Sequence, residues 1–534
     1  MTEKASLSRR DWMMSAAAAG AGALIVSRPA LSAPDGGATP VVQTAHGPVR
    51  GRIEDGVYTF RGIRYGAPPV GQLRFRPPQP PRNWSRVLEA DKFGAAAMQS
   101  PGPDAPPTET HSEDCLFLNV WAPPPAPAKR PVMVWLHGGA FAEGAAGRPT
   151  YYGDHFARDG VVLVSLNHRL NVFGFTQLPD SWGPAYKQSG LAGMLDIVQA
   201  LGWVKANIAR FGGDPGNVTI FGESGGGAKV SLLLGMPPAK GLFHRAIIQS
   251  GAGLTAAPRA YAQALGGALT ETLGVKPGDV ASLAAVDAKT IFGAQKAAIE
   301  KVKDRASKGF LVDGFVPSID GQALPRGPFT PQAQPWIADV PLLIGTNRDE
   351  MTLFLAASPA IARQTDADFE KAVREAYPAK ADQVAAALRA AHPGATPGDL
   401  TIALQTAKAF WIDSITLAER KLKQPAPVWM YRMDWDKSPA MGGKLKAAHA
   451  MELSFVFGTY ENIRFFVGPG GGPARMAAQM HPAWVAFAKT GNPQTSALPA
   501  WPRYDLAQRQ TMIFNLESKV ESDPQRDLRR LIGA

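Results

Sequence analysis

Ser224 stands in Phe221-Gly222-Glu223-Ser224-Gly225-Gly226, a serine with glycine two positions before and two after it. An apolar run, Val218 to Phe221, precedes it, and a small-residue stretch, Gly225 to Leu234, follows. Strand, tight turn and helix in that order hold a serine hydroxyl clear of a sheet, because the glycines allow a close turn that side chains would block. Such a serine can attack a carbonyl carbon. A second segment, His137-Gly138-Gly139-Ala140-Phe141, follows the apolar run Val132 to Leu136. Its paired glycines can turn backbone N–H groups toward a developing oxyanion, joined by the N–H of Gly225 just after the serine. An ordinary glycine-rich turn has the same composition. What separates the two readings is that both segments occur at strand ends. A serine nucleophile also needs a base and a carboxylate to orient that base. Nine histidines are available, and spacing alone singles out none of them.

The elements that must carry these residues alternate. Val132 to Leu136, Val161 to Leu166, Val218 to Phe221, Arg245 to Gln249, Pro341 to Ile344 and Val428 to Tyr431 are short apolar runs of the kind that form buried strands. Leu191, Met194, Leu195, Val198, Leu201, Val204 and Ile208 recur at three- or four-residue intervals, which predicts a helix between Gln188 and Phe211, ended by Gly212-Gly213-Asp214-Pro215. Strands separated by helices imply an α/β fold with a mostly parallel central sheet and helices on both faces. Proline- and glycine-rich stretches at 77–81, 101–107 and 122–131 read as surface loops. No internal repeat or long linker breaks the chain, so residues 34–534 are expected to form one large domain.

Composition removes several classes. The chain has 534 residues, 45% of them hydrophobic and 19% charged, so it can bury a sizeable core. Its one cysteine, Cys115, excludes an internal disulfide and thiolate metal clusters. No HExxH or other dense ligand spacing is present, and neither metal nor cofactor is expected. The net charge of +11 is spread along the chain. Without a basic helix or aromatic-interleaved basic strand, nucleic-acid binding is not expected. At the N-terminus, Arg9-Arg10 precede an apolar small-residue stretch, Met14 to Val26, and a small-residue site at Ala30-Leu31-Ser32. That layout resembles a twin-arginine export signal over residues 1–33 and predicts a periplasmic or secreted product. The apolar stretch is shorter than the roughly 20 residues a spanning helix needs, and no other window is long enough, so the mature chain is expected to carry no integral membrane segment.

From Val41 to about Pro502 the chain resembles the type-B carboxylesterases, the group that includes cholinesterases and bacterial para-nitrobenzyl esterases. Six collinear strings carry the resemblance: Phe60 to Gly66 (FRGIRYG), Ser112 to Val120 (SEDCLFLNV), His137 to Phe141 (HGGAF), Asn207 to Ser224 (NIARFGGDPGNVTIFGES), Gly345 to Glu350 (GTNRDE), and His449 in HAMELSFVFG. The resemblance implies an α/β-hydrolase fold and hydrolysis of a small-molecule ester. It also implies the two partners that spacing left open, Glu350 as the acid, with Asp349 as its neighbouring rival, and His449 as the base. Ser224, Glu350 and His449 would form the triad, and the N–H groups of Gly139, Ala140 and Gly225 the oxyanion hole.

Departures from the family pattern bear on the substrate. Ala140 stands where a third glycine is usual, and Gly225 where alanine is common, which is expected to loosen the turn. The family's partner cysteine falls near Ala97, so the loop closed by Cys115 is expected to be unclamped. Gln99 to Glu113 is short and free of aromatics, which argues against choline esters. Ser250 matches a family serine placed to bond the triad carboxylate, and a plain strand-end serine is the alternative. Glu223 reads as a buried carboxylate beside the nucleophile, and Asp196 and Asp320 as structural. Helical stretches at 255–305 and 360–420 are expected over the site. An amide, carbamate or aromatic xenobiotic ester hydrolase with the same triad is the closer alternative; a non-catalytic adhesion module on the same fold is the remote one.

Overall fold

The computed structural model describes residues 36–102, 105–124, 129–305 and 313–533. The export-signal segment, residues 1–33, lies outside them. Eleven strands form one sheet: β1 (Arg52–Glu54), β2 (Val57–Arg64), β3 (Phe117–Ala122), β4 (Arg130–Leu136), β5 (Val162–Leu166), β6 (Gly213–Glu223), β7 (Arg245–Gln249), β8 (Leu342–Asn347), β9 (Val428–Met433), β10 (Gln510–Phe514) and β11 (Lys519–Ser522). Their spatial order is β1-β2-β3-β5-β4-β6-β7-β8-β9-β10-β11. The block from β5 through β4 and β6 to β10 is parallel. Antiparallel strands finish both edges.

Side chains of the central strands alternate between two apolar layers, as the two-residue period of a strand requires. Val132, Val134 and Leu136 of β4, with Ile220 of β6 and Ile248 of β7, enter one layer. Met133, Trp135, Phe221 and Ile247 enter the other. Both faces are therefore covered, which is why these runs are continuously apolar. Helices α1 (Ala192–Asn207) and α2 (Gly225–Leu234) line the first layer through Met194, Ile197, Leu201, Val230 and Leu233. Helices α3 (Leu453–Phe457) and α4 (Gly472–Thr490) line the second through Phe457, Met480 and Trp484. Each of these large apolar side chains contributes about 1.5–3 kcal/mol on burial.

The six expected strands all form. The expected helix starts later than its periodicity implies, because residues 189–191 form a single 3-10 turn, and it tightens to 3-10 again over Ile208–Phe211 before Gly212 stops it at φ +83°. Strand β6 begins at Gly213, with its register broken between Gly213 and Val218, so the Gly-Asp-Pro stretch belongs to a bulged strand. Strands β1, β2, β3, β10 and β11 are not among the expected ones; β1, β2 and β11 mix polar with apolar residues, and polar Gln510 and Thr511 open β10. Among the described residues no helix is long and apolar enough to cross a membrane.

The sequence motifs lie beyond the carboxyl ends of adjacent parallel strands. His137 follows β4, Ser224 follows β6, Ser250 follows β7, and Glu350 lies shortly after β8. That end of an open parallel sheet is where ligands bind.

Candidate active site

Ser224 links β6 to α2 with φ 55° and ψ −122°, a backbone geometry costing about 1–3 kcal/mol that surrounding structure must hold. The turn is held on two sides. Ser224 N–H donates to Gln249 O on β7 at 2.9 Å, and Ser224 O accepts from Ala228 N at 3.0 Å. Beneath it, Trp135, Phe221 and Phe457 pack with ring centroids 4.9–5.7 Å apart. Close approach explains Gly226, where a Cβ would lie 1.9 Å from Leu136 O. Between Val218 and Met236 every residue is buried except Ser224, which is half-buried. The turn thus presents one side chain outward.

The loop after β4 turns at Gly139 (φ 80°) and Ala140 (φ 53°). Among the described residues, the N–H groups of Gly139 and Ala140 have no hydrogen-bond acceptor. Gly225 is the first residue of α2, so its N–H has no partner within the helix. All three expected donors are therefore available. Ala142 and Glu143 N–H close the loop on Gly139 O at 3.2 and 3.0 Å. Farther along, Asn171 Nδ2 donates to Ala142 O at 3.1 Å, and the Gln99 side chain bonds Gly144 N–H and O at 2.7 and 2.9 Å. The expectation that Gly225 loosens the turn is corrected here. A Cβ on Gly225 would meet Ala140 O at 2.1 Å and Ala140 Cα at 2.5 Å, so the glycine makes room for the loop.

His449 and Glu350 meet although ninety-nine residues separate them. His449 Nδ1 is 2.7 Å from Glu350 Oε2, with both side chains buried. Glu350 Oε1 accepts from Asn347 N–H at 2.7 Å. Asp349 points away, accepting from Arg348 Nε at 2.9 Å and Ala447 N–H at 3.2 Å. Of the two neighbouring acids, only Glu350 bonds the histidine. His449 Nε2 lies 3.1 Å from Glu223 Oε1, at ion-pair distance but out of hydrogen-bond alignment, which brings it beside the residue preceding Ser224. Phe354 and Phe410 flank the imidazole at 5.3 and 4.7 Å between ring centroids. A π-turn at Ala407–Trp411, inside the 360–420 stretch, carries Phe410. That stretch reaches the site as expected. From the 255–305 stretch, Gln295 Oε1 accepts from Val172 N–H, beside the Asn171 that ties the oxyanion loop.

Burial and crowding of like charges set the electrostatics. Burial pushes the Glu223 carboxyl up to about 8, against the pull of His449. Burial alone would discharge His449, but Glu223, then Glu350 and Glu452, hold its imidazolium up to about 9. Glu452 is itself raised by burial and by Glu350.

Several residues of this network escaped the sequence reading. Glu452 accepts from Gln249 Nε2 at 3.0 Å and Asn347 Nδ2 at 2.6 Å, and Trp484 Nε1 donates to Gln249 Oε1 at 2.9 Å. Only the position of Glu452 three residues after His449 hinted at it. Ser250 does not bond Glu350: its buried Oγ has no hydrogen-bond partner, while its N–H donates to Gly345 O at 2.9 Å. Asp196 pairs with Arg169 at 2.6 Å in full burial, and Asp320 Oδ1 accepts from Gln322 and Leu324 N–H, both structural as read. Cys115 is free and buried. As expected, no disulfide clamps the loop it borders; backbone pairing of Ala96-Ala97 with His111-Ser112 closes it instead.

With the geometry described, comparison with known proteins places the chain. Residues 38–529 match the carboxylesterase family. A para-nitrobenzyl esterase of Bacillus subtilis (strain 168) is 38% identical over 499 residues, covering 92% of this chain and 98% of that protein. A phenmedipham hydrolase of Pseudarthrobacter oxydans is 33% identical over 496 residues, 87% of this chain and 93% of the relative. The crystal structure of a Geobacillus stearothermophilus carboxylesterase superposes with a TM-score of 0.81 at 38% identity, over 92% of this chain and 99% of that one. An α/β-hydrolase sheet, a strained serine turn beside an open glycine loop, and these similarities lead to one conclusion: the chain belongs to the carboxylesterase family, as a carboxylic ester hydrolase.

Proposed function

We propose that this enzyme hydrolyses carboxylic esters through an acyl-enzyme formed on Ser224. The observation that carries the reading is the His449–Glu350 bond of 2.7 Å, which fixes one imidazole nitrogen and leaves Nε2 facing Glu223, the residue before Ser224. His449 Nε2 takes the Ser224 proton as Oγ attacks the carbonyl carbon, and Glu350 stabilises the imidazolium that forms. The unpartnered N–H groups of Gly139 and Ala140, with that of Gly225, receive the oxyanion. The alcohol leaves with the proton from His449. Water then repeats the sequence and releases the acid. The half-buried Phe354 and Phe410 give the site an apolar wall, which favours esters with aliphatic or aromatic groups.

Residues 34–534 act as one domain in this reading, supported by strands from Arg52 to Ser522 joining a single sheet. Residues 1–33 act as a twin-arginine export signal, tested by fractionating cells that express the chain with Arg9-Arg10 intact or changed to Lys-Lys. The catalytic reading is tested by para-nitrophenyl acetate, butyrate and octanoate turnover. Activity on these esters that disappears in a folded Ser224→Ala variant supports it. Phenmedipham belongs in the same panel, because a relative is named for its hydrolysis.

A further inference from the structure

Helix α2 starts at the nucleophile and is buried along its whole length, yet its fifth residue is Lys229. A lysine is almost never fully buried without a partner. Lys229 Nζ donates to His137 O at 2.9 Å and lies 5.6 Å from the centre of the Phe141 ring. Both contacts are on the loop that carries Gly139 and Ala140, one at each end of the HGGAF segment. The neighbouring histidines provide no competing anion. His137 and His168 stack at 5.0 Å with 10° between planes, and each pairs Nδ1 with a backbone oxygen, Gly138 O at 3.0 Å and Arg169 O at 2.9 Å. Burial and the Lys229 charge both keep these imidazoles neutral. Burial lowers the Lys229 ammonium to about 7, against the pull of Glu223, so the bond to the His137 carbonyl is the direct polar contact that holds it.

We infer that Lys229 is a positioning residue for the oxyanion hole: by holding the His137 carbonyl and the Phe141 face from α2, it fixes the Gly139 and Ala140 N–H groups relative to Gly225 and Ser224. The far side of the loop is tied by Asn171 and Gln99, whereas Lys229 ties the strand-proximal side to the very helix that supplies the third donor. The donors then keep one spacing whether or not substrate is present. Such preorganisation acts on the transition state and not on substrate binding. This inference rests on the Ser224 acyl-enzyme reading above.

The test compares wild type with Lys229→Met and Lys229→Gln. The Gln variant keeps an N–H donor without the charge. Kinetics on para-nitrophenyl butyrate are measured beside the affinity of an alkyl trifluoromethyl ketone, which forms a tetrahedral adduct on a serine. Since losing one oxyanion donor lowers turnover about 100- to 1,000-fold, a displaced loop in Lys229→Met is expected to lower kcat about 10- to 100-fold with KM within about twofold. Ketone affinity should fall in parallel, and Lys229→Gln should recover part of both. Unchanged kcat, a loss confined to KM, or ketone affinity that stays at the wild-type value while kcat falls would overturn the proposal. If Lys229→Met does not fold, Lys229→Gln decides alone: intermediate kcat with matching ketone affinity supports the proposal, and wild-type values for both refute it. Fluorophosphonate labelling of the wild type, read by mass at Ser224, separates the two readings. An unlabelled serine refutes the acyl-enzyme reading itself, and a labelled serine with no effect at Lys229 refutes only the positioning role.

Discussion

The backbone of Ala140 passes so close to Gly225 that a methyl group on the glycine would lie 2.1 Å from the Ala140 carbonyl oxygen. The two segments proposed to supply oxyanion donors therefore touch directly, and the residue choice at one is coupled to the position of the other. Gly225→Ala is expected to push the loop away and lower kcat about 10- to 100-fold, within the range set by loss of a donor. The same change should cost less in an Ala140→Gly background, where the loop regains freedom to shift. Initial rates for the two single variants and the double variant measure this coupling.

The carboxylates around His449 make a pH prediction. The proposed mechanism needs the neutral imidazole, and Glu223, Glu350 and Glu452 favour the charged form, raising His449 from the ordinary 6.5 to about 9. kcat/KM should therefore climb with pH well above the range of a free histidine, because the base form accumulates only as pH passes the raised value. Glu223→Gln removes the largest single charge effect that raises His449 and should move the rising limb to lower pH. A limb that does not move would show that Glu223 is not the group holding the proton on.

The two neighbouring acids should separate cleanly. Glu350 bonds His449 Nδ1 at 2.7 Å, whereas Asp349 bonds Arg348 and the Ala447 N–H. Glu350→Gln is expected to lower kcat by about 10,000-fold, as when a triad carboxylate becomes an amide and the wrong tautomer is held. Asp349→Asn should leave kcat within a few-fold. Steady-state rates on para-nitrophenyl butyrate check both.

Stability rests elsewhere. Arg169 and Asp196 are 2% and 0% exposed, and Arg169 Nε, Nη2 and N–H all donate to that carboxylate. Asp196→Ala leaves an uncompensated buried guanidinium and should reduce unfolding free energy by about 3–5 kcal/mol. The midpoint of urea unfolding measures this. A loss under 1 kcal/mol would mean that water or another group takes over the charge.

Legibility in the sequence followed how local each feature is. The serine turn and the glycine loop could be read because their backbone conformations need glycine at fixed offsets. The central strands could be read because burial on both faces makes them continuously apolar. Neither signal exists for the outermost strands β1 and β11, which are partly exposed, nor for the π-turn that brings Phe410 to His449. Glu350 and His449 became visible only through resemblance to a family, since ninety-nine residues separate them and no spacing rule joins them. Lys229, Gln249, Asn347 and Glu452 stayed hidden because their partners lie on other strands and helices. Gly225 was read with the wrong consequence, since its neighbour Ala140 comes from a loop some eighty residues earlier.

The central claim is that Ser224 carries the acyl group. Mass analysis of the protein quenched during turnover of para-nitrophenyl butyrate, with peptide mapping, tests it most directly. The account predicts a butyryl adduct on the peptide containing Ser224, absent in a folded Ser224→Ala variant that has also lost turnover. Turnover that persists in Ser224→Ala, or an adduct on another residue, would contradict it.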